Sequence, residues 1–148
     1  MNTSQFDALV VVHPAFDIPK NSDYIPGLKA EVGRFCDQEL PVFVVESIFN
    51  FGDCNIVEVL YGLGAYKLPE IGMLTPSGQV EFIARTAGKL PEEMTIAFGG
   101  MYASSCVYDV ASRMCQQVFT NFEPDGLQLI NSKVKFAKGV ILDNIVSL

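Results

Sequence analysis

Ala8-Leu-Val-Val-Val12 is an unbroken apolar run that stops at His13-Pro14. A run without polar alternation suits a strand covered on both faces, and proline, which lacks a backbone N–H, ends the ladder. Pro41-Val-Phe-Val-Val45 repeats the pattern. Between them, from Pro26 onward, Leu28, Val32, Phe35 and Cys36 fall at i, i+4, i+7 and i+8. That spacing predicts a helix with one inward stripe, leaving Lys29, Glu31 and Asp37 to point to water. Two buried strands joined by a helix form a βαβ unit with parallel strands and a right-handed crossover. The fold class that follows is α/β, a Rossmann-like three-layer sandwich with a mainly parallel sheet.

The same alternation continues along the chain. Thr75-Pro76 predicts a helix start, with the hydroxyl as cap and proline at the first helical position, and Val80, Ile83, Ala84 and Ala87 keep helical spacing until Gly88 and Pro91. Thr95-Ile-Ala-Phe98 is a further strand, followed by Gly99-Gly100. From about Ser104, the residues Val107, Val110, Ala111, Met114 and Val118 predict another one-sided helix. Leu127 to Ile130, Val134 to Phe136 and Val140 to Leu142 each read as short strands of unassigned order. The stretch from Ser47 to Leu74 has no sustained period, yet carries Phe49, Phe51, Tyr61 and Tyr66. It reads either as a cover over a site or as a surface excursion packed on the core or in an oligomer contact.

A chain of 148 residues, 49% of them apolar, is long enough to fold as one domain on its own core. At that length folding buries roughly 70% of the unfolded surface, so neither disulfides nor a structural metal is needed. A net charge of -7 repels phosphate backbones and anionic membranes, so neither nucleic acid nor a membrane is an expected partner. No apolar run near the N-terminus approaches the roughly 20 residues of a membrane span, and Met1 to Asp7 lacks the basic start of a secretory signal. A cytoplasmic protein is expected. Cys36, Cys54, Cys106 and Cys115 include no CxxC pair, and His13 is the single histidine. Reduced thiols are therefore expected rather than a disulfide or zinc, with no cofactor and no metal.

In an open parallel sheet, ligands bind beyond the carboxyl ends of the strands. Three segments qualify: His13 to Asp17, the residues after Val45, and Gly99 to Cys106. Cys106 falls in the first turn of a predicted helix, where unsatisfied amides and the positive dipole end favour a thiolate and could hold an oxyanion. The alternative is a buried cysteine that only packs. Cys115 lies about half a turn round the same helix and reads as structural. A Cys106 to Arg113 span would suggest a phosphatase loop, but six residues intervene and the arginine would lie well inside the helix, which sets that reading aside. His13 reads as a base, a ligand contact or a satisfied core side chain. Asp17 reads as a solvated carboxylate or an acid/base group.

Gly100-Met-Tyr-Ala-Ser-Ser-Cys106-Val107, after an apolar strand and opening a helix, resembles the nucleophile turn of the isochorismatase-like cysteine hydrolases, whose pattern is glycine, five residues, then Cys-Val. The first strand and Met73-Leu-Thr75-Pro-Ser-Gly-Gln-Val80 resemble corresponding segments of that family, so the likeness runs from Phe6 to Asn121. It implies a parallel sheet of order 3-2-1-4-5 and an Asp, Lys and Cys catalytic set. Cys106 would be the nucleophile, the amides of Ser105 and Cys106 the oxyanion hole, and a cis peptide would fall near Met101-Tyr102. Lys67, eight residues before Thr75, would match the family's lysine.

The chain departs from the pattern just after the first strand, where the family's aspartate is His13, while Asp17 matches a second, less central acidic position. A histidine can still accept a thiol proton. The metal site of nicotinamidase members needs several histidines, and this chain has one. The resemblance thus implies a small cysteine hydrolase acting on an amide or related carbonyl bond of a small-molecule substrate. Cys106, His13, Asp17 and Lys67 would be its catalytic residues. The other expectations are a noncatalytic relative that binds a ligand or a protein, and a structural oligomer subunit. The high apolar content and the aromatic stretch after Ser47 make a homo-oligomer the expected state.

Overall fold

The computed structural model describes residues 5–47, 55–68, 76–121 and 137–147. Its centre is β1 (Ala8–Val12), every residue of which is buried. β1 pairs in parallel with β2 (Val42–Val45) on one side and β4 (Thr95–Gly100) on the other. β3 (Tyr66–Lys67) flanks β2. Beyond β4 lie β6 (Ala137–Val146) and then β5 (Cys115–Phe119), completing a six-stranded parallel sheet of order β3-β2-β1-β4-β6-β5. The expected order holds from β3 to β4, but the position next to β4 belongs to the last strand rather than to β5.

Strand alternation divides the interior into two cores. Ala8, Val10 and Val12 face one layer, built from α3 (Pro76–Ala87) and α4 (Tyr108–Met114), through Val80, Ile83, Ala84, Ala111 and Met114, with Val107 just before α4. Leu9 and Val11 face the other layer, α1 (Tyr24–Asp37) and α2 (Asn55–Gly62), through Leu28, Val32, Phe35, Ile56, Val57 and Leu60. This is the three-layer α/β sandwich that the βαβ pattern demands. Among the described residues, no helix is long and apolar enough to cross a membrane.

Several boundaries differ from the sequence reading for local reasons. α1 packs against β6 so closely that a Cβ on Gly27 would stand 2.7 Å from the Asn144 carbonyl oxygen. That contact draws Glu31 inward, to 1% exposure, instead of leaving it in water. Its carboxylate accepts from Arg34 Nη2 and from Asn144 Nδ2, both at 3.0 Å, so the buried charge is partnered. The aperiodic stretch after Ser47 contains α2, little more than two turns long, and the edge strand β3.

The helix after Cys106 ends at Met114 rather than reaching Val118. Cys115 turns extended at φ −118° and starts β5, and its side chain packs in the core beside Gly139 and Phe98. Val140 to Leu142 lies inside β6, whereas the strands read at 127–130 and 134–136, and Thr75 with its cap, fall outside the described residues. α3 stops as read: Gly88 takes φ +71°, and the Lys89 amide donates back to the Ala84 carbonyl at 3.0 Å.

Candidate functional site

The carboxyl ends of β1 and β2 and the turn that follows β4 meet at one cavity, as expected of an open parallel sheet. His13 enters it directly after β1, Val45 from the last position of β2, and Gln79 from α3. Cys106, Asp109, Val110 and Arg113 supply the opposing wall, and the cavity volume is about 260 Å³. These four recur at i, i+3, i+4 and i+7, the spacing of one helical face. Cys106 itself is half-buried at that wall.

The backbone at both strand ends is unusual and specific. Gly100 takes φ +144° where β4 meets the end of β1, and a Cβ there would collide with the Val12 carbonyl oxygen. Gly99 is closed off equally by the Ile145 side chain. The glycine pair therefore serves close approach of strands as much as turning. His13 is left-handed at φ +46°, held by its amide donating to Val45 O at 2.8 Å and its carbonyl accepting from Phe16 at 3.2 Å. Such a conformation in a non-glycine residue carries strain that neighbouring bonds must sustain, and it concentrates at functional sites.

Cys106 does not stand in an ordinary first α-helical turn. Ala103–Val107 forms a wide π-type turn that runs into α4, and the Tyr102 carbonyl accepts from both Ser105 (3.3 Å) and Val107 (3.1 Å). Wide turns of this type recur at functional sites. The Ser105 amide, expected as an oxyanion donor, is thus engaged by Tyr102. Among the described residues no peptide is cis, so the expected cis linkage near Met101-Tyr102 is trans here.

Asp17 lies beside this turn, outside the lining of the cavity. Its carboxylate accepts from the Tyr102 hydroxyl at 2.6 Å and from the Ile18 amide at 2.7 Å. These donors, with Lys20 nearby, hold its pKa below the ordinary carboxylate value. The same bond raises the Tyr102 hydroxyl. Lys20 Nζ sits 5.3 Å over the Tyr102 ring, and the Phe16 ring meets both Tyr102 and His13. The loop after β1 is therefore clasped to the Cys106 turn through Tyr102.

Lys67 is also apart from the cavity lining. Its side chain is 70% exposed on the edge strand and pairs with Glu46 at 3.6 Å, which also accepts from the Tyr61 hydroxyl at 2.7 Å. Of the four expected catalytic residues, the structure joins Cys106 and His13 in one cavity and leaves Asp17 and Lys67 outside its lining. Sequence reasoning missed Gln79 and Asp109, and it set Arg113 aside because six residues separate it from Cys106; helical spacing from Cys106 was the available signal for Asp109 and Arg113. Among the described residues no cluster of three or more histidine, cysteine or carboxylate groups could hold a metal ion. No protein-family model, curated protein or solved structure matches this chain.

Proposed function

We propose that the chain is a small-molecule cysteine hydrolase, similar in chemistry to the isochorismatase-like enzymes, that attacks an amide or related carbonyl carbon through Cys106. The observation that carries this reading is that the Cys106 and His13 side chains, 93 positions apart, line one cavity at the carboxyl ends of parallel strands. In this reaction His13 takes the thiol proton and the thiolate sulfur bonds to the carbonyl carbon. The tetrahedral intermediate collapses by expelling the amine, which leaves with the proton from the imidazolium. Water then adds to the thioester, His13 taking its proton, and the acid departs as the thiol is restored. Asp17 acts through Tyr102 as a positioning residue for the turn rather than as the base.

The test is ammonia release from a panel of small primary amides by the wild type, Cys106→Ala and His13→Gln. Turnover by wild type, abolished in Cys106→Ala and lowered about a hundredfold or more in His13→Gln, is the expected pattern. Undiminished turnover in Cys106→Ala would refute it. A second reading, a noncatalytic ligand-binding protein on the same scaffold, is favoured by the position of Lys67 outside the cavity. It predicts a ligand that raises the melting temperature equally in wild type and Cys106→Ala and is not consumed.

A further inference from the structure

The cavity holds a residue pair that the proposed hydrolysis does not use. Arg113 Nη2 reaches back one helical turn to Asp109 Oδ2 at 3.1 Å, and both side chains line the cavity with Cys106. Arg113 is the one full cation among the described lining residues, in a chain whose net charge is -7. A guanidinium carries five N–H donors in a planar fork, and the Asp109 contact engages one terminal nitrogen, so donors remain for a second carboxylate. Gln79, 3% exposed, adds a buried amide from the facing wall. Polar groups sunk into a partly apolar cavity are the usual means of orienting a small ligand.

We propose that Arg113 anchors a carboxylate on the substrate, so that the cavity takes short-chain half-amides of dicarboxylic acids. Size and spacing both point to a short molecule. A cavity of about 260 Å³ lies just under the roughly 300–1,000 Å³ of sites for drug-sized ligands, which suits a ligand of small-metabolite size. The guanidinium lies at the level of Asp109, and one helical turn is about 5.4 Å, so the anchor stands only a turn or so from Cys106 along the helix. A carboxylate separated from the scissile carbonyl by two or three carbons spans that interval. The bound carboxylate shares the guanidinium with Asp109 and competes with it for the fork's donors.

This inference rests on the hydrolase reading for its reacting amide, but its test reads binding separately from chemistry. Calorimetric titration of Cys106→Ala with succinamate, glutaramate and the uncharged butyramide measures affinity without turnover. Half-amides binding at least tenfold tighter than butyramide, with the difference lost in Arg113→Gln, is the expected result. Asp109→Asn keeps the guanidinium and removes the competing carboxylate, so it should bind succinamate severalfold tighter. No binding of any probe, equal affinity for charged and uncharged amides, or a preference that survives Arg113→Gln would overturn the proposal. Weaker succinamate binding in Asp109→Asn would also overturn it. Charge-selective binding without ammonia release by the wild type would uphold the anchor and refute the hydrolase reading alone.

Discussion

The Tyr102 hydroxyl donates to the Asp17 carboxylate across 2.6 Å, joining the loop after β1 to the turn that carries Cys106. The two residues are 85 positions apart, and each brings its neighbour to the same place: Asp17 follows His13 in one loop, and Tyr102 opens the turn of Cys106. The clasp is reinforced where the loop meets the end of β6. There the Lys20 amide donates to Ser147 Oγ at 2.9 Å, and Asn21 Nδ2 donates to Ser147 O at 2.7 Å.

Breaking this clasp should make stability depend on pH differently. The folded pKa of Asp17 lies below its ordinary value of 3.8, so its contribution is complete above that value and fades as pH falls through the lowered one. The Tyr102 pKa lies above its ordinary 10.0, so its contribution is complete below that value and fades as pH rises through the raised one. Melting temperatures of wild type and Tyr102→Phe, followed from about pH 2 to 11, should differ most in the middle range and converge at both ends. A difference constant across the range contradicts the clasp.

Gly100 should tolerate no side chain. Its φ of +144° and the Val12 carbonyl facing the missing Cβ mean that Gly100→Ala must displace β1 or β4. The expected cost in denaturant unfolding is at least about 3 kcal/mol. Gly88→Ala is the control, because a methyl on Gly88, at φ +71°, would meet nothing within 4 Å and should cost only about 1 kcal/mol. Equal losses at the two positions would contradict the close approach of strands.

Much of the architecture is legible in the residues because parallel strands buried on both faces cannot hide their composition. Ala8 to Val12 and Pro41 to Val45 announce β1 and β2, and Leu28, Val32 and Phe35 announce the helix between them. Cys106 at a glycine-preceded turn and His13 at a strand end are likewise readable. What escapes does so for physical reasons. Val118 continues the stripe of α4 by spacing alone, yet the chain turns extended at Cys115, because β5 gains backbone bonds to a strand that begins only at Ala137. Glu31 looks solvent-facing until β6 supplies Asn144 as its partner. Lys67 has a matching sequence interval, but sequence interval does not report that its strand lies at the sheet edge.

The thiols should separate by accessibility. Cys106, half-buried at the cavity wall, should react with iodoacetamide in the native protein. Cys115, 1% exposed, should react only on unfolding. Cys36 should lag, since burial and the neighbouring Asp37 push its thiol pKa up and deplete the thiolate. Peptide mass spectrometry after brief alkylation reads the order, and modification of Cys115 ahead of Cys106 would contradict the burial described.

The most direct measurement is acid quench of the wild-type protein during turnover of a small amide or activated ester, followed by mass spectrometry of the peptide containing Cys106. An acyl group on the Cys106 sulfur, formed and then lost as product accumulates and absent from Cys106→Ala, is the predicted result. Product formation with no acyl group on Cys106, or unchanged in Cys106→Ala, would contradict the account.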